Sequence, residues 1–348
     1  MSNAFSAIMV GCGAMSAEWL RSAKELGIEI AALVDLNLGA AEARAAEFQL
    51  DAPLFDNVDA AIRESCAQML FDCTIPAAHA AVDEKALVNG MHVLVEKPLA
   101  TTLKDATRVV ELAAKRKLVH AVIQNRRFNP GLRRIKRLLA RDLIGDLTTV
   151  NVDFFVPAHF GGFREKMNNV LLTDMAIHQF DAARYLTSAN AESVFCDEWN
   201  PKGSWWQHGS SAHAIFHMNG GIRFTFRGSW CAEGLRTSWD SVWRIIGTKG
   251  TICWDGLGEI QGERVILGST GPVQRGLFYD CEAFASNEEP DPLESRGHFS
   301  VMRQFLRDVA EGIPAETRSE DNLHSLAMVL GAIESARAGR KITIRTVA

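Results

Sequence analysis

The sequence predicts an α/β protein in two parts: a doubly wound parallel sheet, followed by an α+β domain with a large, mostly antiparallel open sheet. Three observations support this prediction. The chain has 348 residues, which is enough for two ordinary cores. Short apolar strands alternate with helical stretches up to residue 123, and strand-like alternation begins near residue 145. We therefore place the domains at 1–123 and 124–348.

The first part contains five predicted strands that alternate with helical sequence. They lie in "AIMVGCG", "IEIAALVD", "QMLFDCTI", "MHVLVEKP" and "LVHAVIQN". Helices are predicted over 14–26 and 38–48, after the first and second strands. Strands that alternate with helices form a parallel sheet, because each helix carries the chain back across the sheet.

The second part changes to the two-residue period of a strand. "TTVNVDFFV" places alternate apolar residues from 150 to 156 on one side. Asn219-Gly220 separates two alternating runs, which predicts a two-residue type I′ hairpin, and "VWRIIGTKGTICW" predicts another hairpin. Helical periodicity occurs at 172–186 and again over 295–338, while 286–292 is predicted to be an exposed loop.

Composition and charge exclude several classes of partner. The net charge is −5, so neither a nucleic acid nor an anionic membrane surface is expected to bind. No apolar run reaches the roughly 18 residues of a membrane span, and the first residues lack the basic region of a signal peptide. The seven cysteines form no C-x-x-C pair, which favours free thiols in a reducing cytoplasm over disulfides or a thiolate zinc site.

A glycine-rich turn follows the first strand. Gly11, Gly13, Ala14, Met15 and Ser16 fit the pattern G-x-G-x-x-small between a strand and a helix. The glycines allow a tight turn, and backbone N–H groups there can approach a pyrophosphate at the start of the helix. The turn thus predicts a Rossmann dinucleotide-binding domain, although serine replaces the usual third glycine or alanine.

An acidic residue at the end of the second strand strengthens this prediction. Asp35 stands 24 residues after Gly11, where a carboxylate can accept hydrogen bonds from both ribose hydroxyls and would repel a 2′-phosphate. The next residues, Leu36 and Asn37, offer no cation for that phosphate. NAD is therefore favoured over NADP as the cofactor, while a plain helix N-cap is the alternative role for Asp35.

Further motifs make the whole chain resemble a known family. "VEKPLATT" after the fourth strand, "TIPAAHA" after the third and "QNRRFNP" after the fifth resemble the Gfo/Idh/MocA family of NAD(P)-dependent sugar and polyol oxidoreductases. "IGTKGTI" and "SARAGRKITI" fit as well. The resemblance implies that Lys97, Asp174 and His178 are catalytic. It also implies that the cofactor is bound by Gly11, Gly13, Ala14, Met15, Asp35, Thr74, Pro76, His79, Glu96 and Lys97.

The chemistry of alcohol oxidation explains the implied catalytic residues. His178 suits a base at neutral pH, and Lys97 can stabilise a developing alkoxide, so no metal is required. Asp174 can orient the imidazole or bind a substrate hydroxyl. Asp174, His178 and Asp181 stand at i, i+4 and i+7 and so share one helical face, which by itself could be a solvated face. Asp181 is either a supporting residue or purely structural.

The expected substrate is a sugar or cyclic polyol, oxidised at a secondary hydroxyl or the anomeric carbon. Asn125, Arg126 and Arg164, with Phe160, are candidate substrate contacts, and the two arginines make a sugar acid the second choice. The run "KMNNVLLT" replaces a glycine-rich segment of the family and could reshape the pocket. His208, His213 and His217 lack a completing carboxylate or thiolate, so a zinc site is not expected.

Two further expectations concern assembly and function class. The tryptophans concentrate in the second part, which predicts sheet packing or an apolar face covered in a homodimer or homotetramer. The alternative to an enzyme is a non-catalytic NAD(P)-binding sensor of the same fold. A pure sensor has no chemical reason to keep Lys97, Asp174 and His178 together, so an enzyme is favoured.

Overall fold

The computed structural model describes residues 5–284 and 296–345, which form two compact units. The first unit contains the residues up to Asn125 and then Arg296–Leu326. The second contains residues 126–284 and Ala327–Arg345. The loop predicted at 286–292 lies outside the described residues.

A six-stranded parallel sheet forms the centre of the first unit, as far as the chain is described. Its strands are β1 (Ser6–Val10), β2 (Glu29–Val34), β3 (Leu54–Phe55), β4 (Met69–Asp72), β5 (His92–Val95) and β6 (His120–Val122). The strand order is β3-β2-β1-β4-β5-β6, with every pair parallel, which confirms the doubly wound fold. Sequence analysis missed the two-residue strand β3, which is too short to show a periodic pattern.

Helices connect the strands of this sheet. They are α1 (Ser16–Glu25), α2 (Leu38–Phe48), α3 (Val58–Glu64), α4 (His79–Val88) and α5 (Leu103–Arg116). Local sequence sets several of their starts: the Asn37 side chain accepts from the Gly39 amide, and Thr102 Oγ1 accepts from the Asp105 amide. Helix α2 has the predicted bounds, whereas α1 begins at Ser16 because residues 14 and 15 belong to the glycine turn.

The second unit begins with short helices and continues as a sheet. After a 3₁₀ turn (Asn125–Phe128) come α6 (Pro130–Ala140), β7 (Leu147–Phe155), a 3₁₀ turn (Gly162–Lys166), a π-helical turn (Leu171–Ala176) and α7 (Ile177–Thr187). The strands that follow are β8 (Ala191–Trp199), β9 (Ser211–Met218), β10 (Arg223–Ser229), β11 (Val242–Gly247), β12 (Gly250–Trp254), β13 (Gln261–Val265), β14 (Leu267–Gly268), β15 (Gly271–Pro272), β16 (Gln274–Arg275), β17 (Phe278–Tyr279) and β18 (Cys281–Phe284).

The C-terminal segment holds α8 (His298–Glu311), α9 (Ser319–Ala338) and β19 (Ile342–Thr343). Helix α8 belongs to the first unit, where Phe305 packs against Phe71 with ring centroids 6.4 Å apart. The Val122 amide also donates to the Thr317 carbonyl at 2.9 Å. The prediction that all residues after 123 form one domain therefore differs from the division in the structure. Tertiary packing, which leaves no local sequence signal, returns 296–326 to the first unit.

The main sheet of the second unit has nine strands in the described chain, in the order β18-β13-β12-β11-β7-β10-β9-β8-β19. All neighbours are antiparallel except β7 and β10, which confirms the mostly antiparallel sheet. Val150, Val152 and Phe154 are buried on one face, as their alternation predicts. Phe180 of α7 packs on Phe216 of this sheet, with ring centroids 4.8 Å apart, so the helices cover that face.

The hairpin between β9 and β10 differs in detail from its prediction. The strands pair as expected, but the Met218 amide donates to the Ile222 carbonyl, so three residues form the loop. Positive φ angles occur at Gly220 (75°) and Gly221 (78°), not at Asn219. The type I′ assignment is therefore wrong, because two consecutive glycines move the left-handed positions one residue along the chain.

The positions of the tryptophans fit the expected sheet packing but not the expected tryptophan-rich open face. Trp206, Trp230, Trp243 and Trp254 are buried, so sheet packing accounts for them. The face of the sheet that the helices leave open instead carries Phe195, Trp199, Ile215 and Val242, each 38–45% exposed. The expectation of a tryptophan-rich open face is therefore wrong, because alternation along β11 and β12 turns Trp243 and Trp254 toward the side that the helices cover.

Candidate active site

In the glycine turn of the first unit, Gly11 lies close to the backbone of another segment, whereas Gly13 has open space beside it. Gly11 has φ +89°, and a Cβ there would lie 2.5 Å from the Cys73 carbonyl oxygen, so only glycine fits. A Cβ at Gly13 would meet no atom within 4 Å among the described residues outside the turn. Ala14 and Met15 are exposed beside it, just before α1. Exposed backbone at a helix start fits the pyrophosphate of a dinucleotide.

Ser16 explains how the turn tolerates the missing third glycine. Its side chain is fully buried, and Oγ donates to the Gly13 carbonyl at 2.6 Å. The Ser16 hydroxyl thus has its hydrogen-bond partner inside the turn and does not obstruct the exposed side of the turn.

Asp35 follows β2 and faces the same turn. Its Oδ2 accepts from the Cys12 amide at 2.8 Å, and its Oδ1 accepts from the Asn37 amide at 2.9 Å. A separate side chain, Asn37, caps α2, so the N-cap role considered for Asp35 falls to its neighbour. The carboxylate of Asp35 is thereby held at the end of the strand, where the motif requires a ribose acceptor.

Arg44 of α2 is a residue that the sequence analysis missed. Its Nη2 donates to the Gly13 carbonyl at 2.8 Å, and its Nη1 pairs with Glu47 at 2.5 Å. The side chain is only 14% exposed. It therefore places a cation beside the glycine turn. Arg44 and Gly13 are 31 residues apart in sequence, so motif analysis could not pair them.

The loop after β4 is built around a buried carboxylate. Asp72 Oδ1 accepts from both the amide and the hydroxyl of Thr74, at 2.9 and 2.6 Å. His79 is fully buried, with Nδ1 2.8 Å from the Pro98 carbonyl and Nε2 3.2 Å from the Thr74 carbonyl. Both ring nitrogens are engaged by the chain, so His79 supports the cofactor loops but offers no polar atom to a cofactor. Pro76 lies half-buried in the loop between them.

Lys97 follows β5 and stands between two anchored residues. Glu96 is buried, and its Oε1 accepts from Trp19 Nε1 at 2.9 Å. Burial alone would raise the pKa of Glu96, but His298, Lys97 and the Trp19 donor outweigh it and hold the pKa below its usual value. On the other side, the cis Lys97–Pro98 peptide is tied to His79 through Pro98.

Asn125, a candidate substrate contact, takes part in the same network. Its Nδ2 lies 3.3 Å from His298 Nδ1, and His298 Nε2 lies 3.8 Å from Glu96 Oε1. Asn125 thus supports the carboxylate next to Lys97. His298 belongs to no recognised motif, and its partners Asn125 and Glu96 are more than 170 residues away in sequence. Sequence analysis therefore could not identify its role.

Asp174 and His178 occur in the second unit, on the segment predicted to be a helix over 172–186. The observed segment starts as the π-helical turn that holds Asp174, and His178 follows in the first turn of α7. Asp174 Oδ2 accepts from Arg164 Nε at 3.1 Å, and His178 is 8% exposed. A π-helical turn has a wider spacing than an α-helix, so the simple i, i+4 face does not describe Asp174.

The neighbours of His178 fix α7 in place. Gln179 Nε2 donates to Ser241 Oγ at 3.0 Å. Asp181 receives two hydrogen bonds from Arg127, at 2.6 and 2.8 Å, and both side chains are buried. Asp181 thus forms a buried ion pair that anchors the helix carrying His178, which gives it at least a structural role.

The other candidates of the second unit are engaged as well. Arg126 forms an ion pair with Asp240, and the Arg164 guanidinium lies 5.5 Å from the Phe160 ring centroid. His213 packs edge-on against Trp199, and His217 Nδ1 lies 3.2 Å from Lys341 Nζ. Among residues 5–284 and 296–345, no three His, Cys, Asp or Glu side chains cluster as metal ligands. Within the same ranges no helix is both long and apolar enough to cross a membrane.

Two models of one protein family match this chain. Residues 5–124 match the model of the Gfo/Idh/MocA oxidoreductase family with its NAD-binding Rossmann fold. Residues 132–253 match the model of that family's C-terminal domain. The first unit is therefore an NAD-binding Rossmann domain.

Individual proteins show the same relationship. An uncharacterized protein of Sinorhizobium fredii, y4oX, is 27% identical over 78% of this chain and 76% of its own. An inositol 2-dehydrogenase/D-chiro-inositol 3-dehydrogenase of Lacticaseibacillus casei is 28% identical over 53% of this chain and 54% of its own. The fold also matches an Agrobacterium radiobacter oxidoreductase solved with NAD+, L-tartaric acid and magnesium, with a TM-score of 0.85 at 18% identity and 98% coverage of both chains. The chain belongs to the Gfo/Idh/MocA family of NAD-binding oxidoreductases.

Proposed function

We propose that this oxidoreductase is an NAD-dependent dehydrogenase of a sugar or cyclic polyol, acting on a ring secondary hydroxyl or the anomeric carbon. The observation that carries this proposal is the fixed position of Lys97, between Glu96 and Pro98 at the end of β5. In an open parallel sheet, ligands bind beyond the carboxyl ends of the strands, which supports a catalytic role for this lysine.

The roles of the three residues follow from what alcohol oxidation requires. NAD, when bound, accepts the hydride that the alcohol carbon loses. Lys97 donates to the alcohol oxygen and stabilises its developing negative charge. His178 takes the hydroxyl proton, and the carboxylate of Asp174 favours the imidazolium that results.

The ion pairs of the second unit favour a neutral polyhydroxylated ring over a sugar acid. Arg164 already shares its charge with Asp174, and Arg126 shares its charge with Asp240. A substrate carboxylate at either arginine would bring a second negative charge beside an aspartate. Hydroxyls carry no charge and can both donate and accept, so they fit such pairs. The inositol dehydrogenase activity named for the Lacticaseibacillus casei relative is consistent with this choice.

A non-catalytic NAD-binding sensor remains the second candidate function. It would need the cofactor turn but not the proton-transferring side chains. The retention of Lys97, Asp174 and His178 supports the enzyme, because each supplies a separate requirement of the reaction.

We further propose that the chain forms a homodimer or homotetramer in the cytoplasm. Phe195 and Ile215 face each other on the open side of the nine-stranded sheet and are each 45% exposed. A second copy would remove this apolar surface from water. All seven cysteines are free thiols, which suits a reducing compartment. Light scattering should give a mass above the 38.3 kDa of one chain; a single-chain mass at micromolar concentration would contradict the assembly.

A substrate screen tests the proposed reaction. The protein is incubated with NAD and, separately, with inositols, pyranoses, sugar acids and simple aliphatic alcohols, and the absorbance of the reduced cofactor is followed. The best ring substrate should exceed any aliphatic alcohol by at least about a hundredfold, because unpaired polar groups cost about 1–3 kcal/mol each. The Lys97→Met variant, purified in the same way, is the control: it should lose the activity if the turnover comes from this protein. A best substrate that is an aliphatic alcohol or simple hydroxy acid would overturn the substrate class, and NAD binding without any turnover would favour the sensor.

A further inference from the structure

The carbonyl oxygen of Gly13 accepts three hydrogen bonds, and two of them come from side chains. The Ser16 amide donates to it at 3.2 Å, which closes the turn before α1. Ser16 Oγ donates to the same oxygen at 2.6 Å, and Arg44 Nη2 donates at 2.8 Å. A carbonyl oxygen has two lone pairs, so these donors use its whole capacity and hold it toward the protein.

The direction of this carbonyl determines where the next amide points. The peptide between Gly13 and Ala14 is trans, and in a trans peptide the N–H is directed opposite to the C=O. The Ala14 N–H is therefore directed away from the two side chains that hold the carbonyl. The amides of Ala14 and Met15 donate to no backbone oxygen in the described chain, and both residues are exposed. Two unused donors at the start of α1 fit the pyrophosphate of a dinucleotide.

Arg44 also brings a fixed positive charge to the turn. Its side chain is only 14% exposed, and its Nη1 pairs with Glu47 at 2.5 Å on the same helix. A guanidinium stays protonated throughout the ordinary pH range, so the charge is present before any cofactor binds. Glu47 is 51% exposed, and water therefore screens its charge more than that of the arginine.

The 2′-phosphate of NADP is the other anion that an arginine near this turn could serve. The Asp35 carboxylate argues against it, because Oδ2 is held at the turn by the Cys12 amide at 2.8 Å. A 2′-phosphate beside Asp35 would meet a negative charge. Both Nη atoms of Arg44 are already engaged, one of them by the turn itself. These contacts favour a role in pyrophosphate binding.

We propose that Arg44 is a positioning residue for NAD. Together with Ser16, it holds the Gly13 carbonyl toward the protein, so that the next two amides are available to the pyrophosphate. Its charge adds an attraction for that anion. The serine that replaces the usual third glycine or alanine of the motif thereby becomes part of the cofactor site. This role requires only NAD binding by the Rossmann domain and does not depend on which alcohol is oxidised.

Fluorescence titration with NADH tests this role without any substrate. Arg44→Met should raise the Kd for NADH at least about tenfold, the scale of one hydrogen bond from a charged group. Arg44→Lys keeps the charge and can donate to the carbonyl, so it should recover at least half of the loss on a logarithmic scale. Arg21→Met is the matched control, because Arg21 is an exposed arginine of α1 that pairs with Glu18. Its Kd should stay within about twofold of the wild-type value.

A loss in Arg44→Met no larger than that in Arg21→Met would refute the proposal. Other ligands show which part of the cofactor Arg44 serves. In Arg44→Met, the Kd for ADP should rise as it does for NADH, whereas the Kd for adenosine, which lacks phosphate, should change less than about twofold. The NADH and NADPH values should rise by the same factor. Equal losses for adenosine would reduce Arg44 to a support of the fold, and a loss confined to NADPH would assign it to the 2′-phosphate; either result overturns the proposal.

Hydrogen exchange tests the held turn in the cofactor-free protein. In Arg44→Met, the Ser16 amide should exchange at least about threefold faster than in the wild type, because its acceptor is held by fewer donors. Ser16→Ala provides a second variant if Arg44→Met does not fold, since it removes one donor to the same carbonyl without adding bulk. It should raise the Kd for NADH and the exchange rate of the residue 16 amide at least about threefold. Unchanged values of both in a folded Ser16→Ala would show that side chains do not hold this carbonyl.

Discussion

The two units hold their candidate catalytic residues by different means. In the first unit, buried Asp72, His79 and Glu96 hydrogen-bond to loop backbone or neighbouring rings and fix the chain on both sides of Lys97. In the second unit, arginines pair with aspartates: Arg164 with Asp174 and Arg127 with Asp181. The first region is thus organised mainly by hydrogen bonds between buried side chains and the main chain, and the second by ion pairs between side chains.

The difference suits the ligand that we propose for each region. A dinucleotide turn presents the same backbone in every cycle, so rigid hydrogen bonds to carbonyls and amides are appropriate. The pair of Arg164 and Asp174 is 31% and 15% exposed, so incoming hydroxyls can compete for either member. The proposed substrate could thus exchange with a partner in these charge pairs, whereas the contacts around Lys97 cannot change unless the loop opens.

The largest expected effect separates a buried pair from an exposed one. Arg127→Met removes two charged hydrogen bonds from the buried carboxylate of Asp181, while Arg184 remains 3.8 Å from it. The free energy of unfolding should therefore fall by about 3 kcal/mol, the lower end of the range for breaking a buried pair. Arg227→Met, which breaks an exposed pair with Asp153, should cost no more than about 1 kcal/mol. Urea denaturation measures both. Equal, small losses would show that the ion pairs of this unit do not fix α7.

Turnover should depend on both regions. Lys97→Met and His178→Ala should each lower kcat by at least about a hundredfold, which is the usual scale for a positioned acid–base group. NAD affinity should change much less in His178→Ala, since the roles assigned to the second unit concern the substrate. Steady-state kinetics and fluorescence titration with NADH separate the two effects. Near-normal turnover in either variant, on a verified substrate, would refute the assignment.

Cofactor preference should depend on the first region alone. The wild type should bind NADH more tightly than NADPH, because a 2′-phosphate would meet the Asp35 carboxylate. Asp35→Ala should narrow the ratio of the two Kd values by about tenfold, the scale of one charged hydrogen bond. Calorimetry provides the values, and His178→Ala serves as the control with an unchanged ratio. Equal or tighter binding of NADPH by the wild type would contradict this prediction.

The smallest effect concerns Glu198, a carboxyl of the second unit held by the Asn169 amide instead of an arginine. Burial raises its pKa from 4.5 to about 7, against the opposing hydrogen bond of Asn169. Between these values the folded protein keeps a proton that the unfolded chain has lost, so stability falls as the pH rises through this window. Glu198→Gln should raise Tm by about 2–4 °C at pH 8 and very little at pH 5. A gain of the same size at both pH values would show that this carboxyl does not titrate as stated.

Sequence patterns captured the elements that are encoded locally. The glycine turn, Asp35 and the alternation of β7 are read from neighbouring residues, because helix and strand periods and turn chemistry act over short distances. The same holds for α2, because its capping residue Asn37 and its helical periodicity are both read from neighbouring residues. The helix predicted over 172–186 likewise contains His178 in the structure, whereas Asp174 lies in the π-helical turn before α7.

Sequence patterns could not show the contacts that hold these elements. Trp19, Glu96 and His298 come from three separate parts of the chain, and nothing near His298 marks it as a partner of a buried carboxylate. The pairing of Arg127 with Asp181 joins residues 54 apart. The π-helical turn at Asp174 likewise has no local signal in "LLTDMA". Each depends on packing between distant segments, which a period or motif does not record.

The return of residues 296–326 to the first unit has a consequence for recombination between relatives. A chimera with a single crossover at residue 125 would combine one parent's β4 with the other parent's α8, so Phe71 and Phe305 would come from different ancestors. The same crossover would separate Glu25 from its ion-pair partner Arg296 and Glu96 from His298. Functional exchange of cofactor domains therefore requires three crossovers, one near residue 125 and one near each end of the returning segment. In this fold the inherited module is an interrupted stretch of the gene.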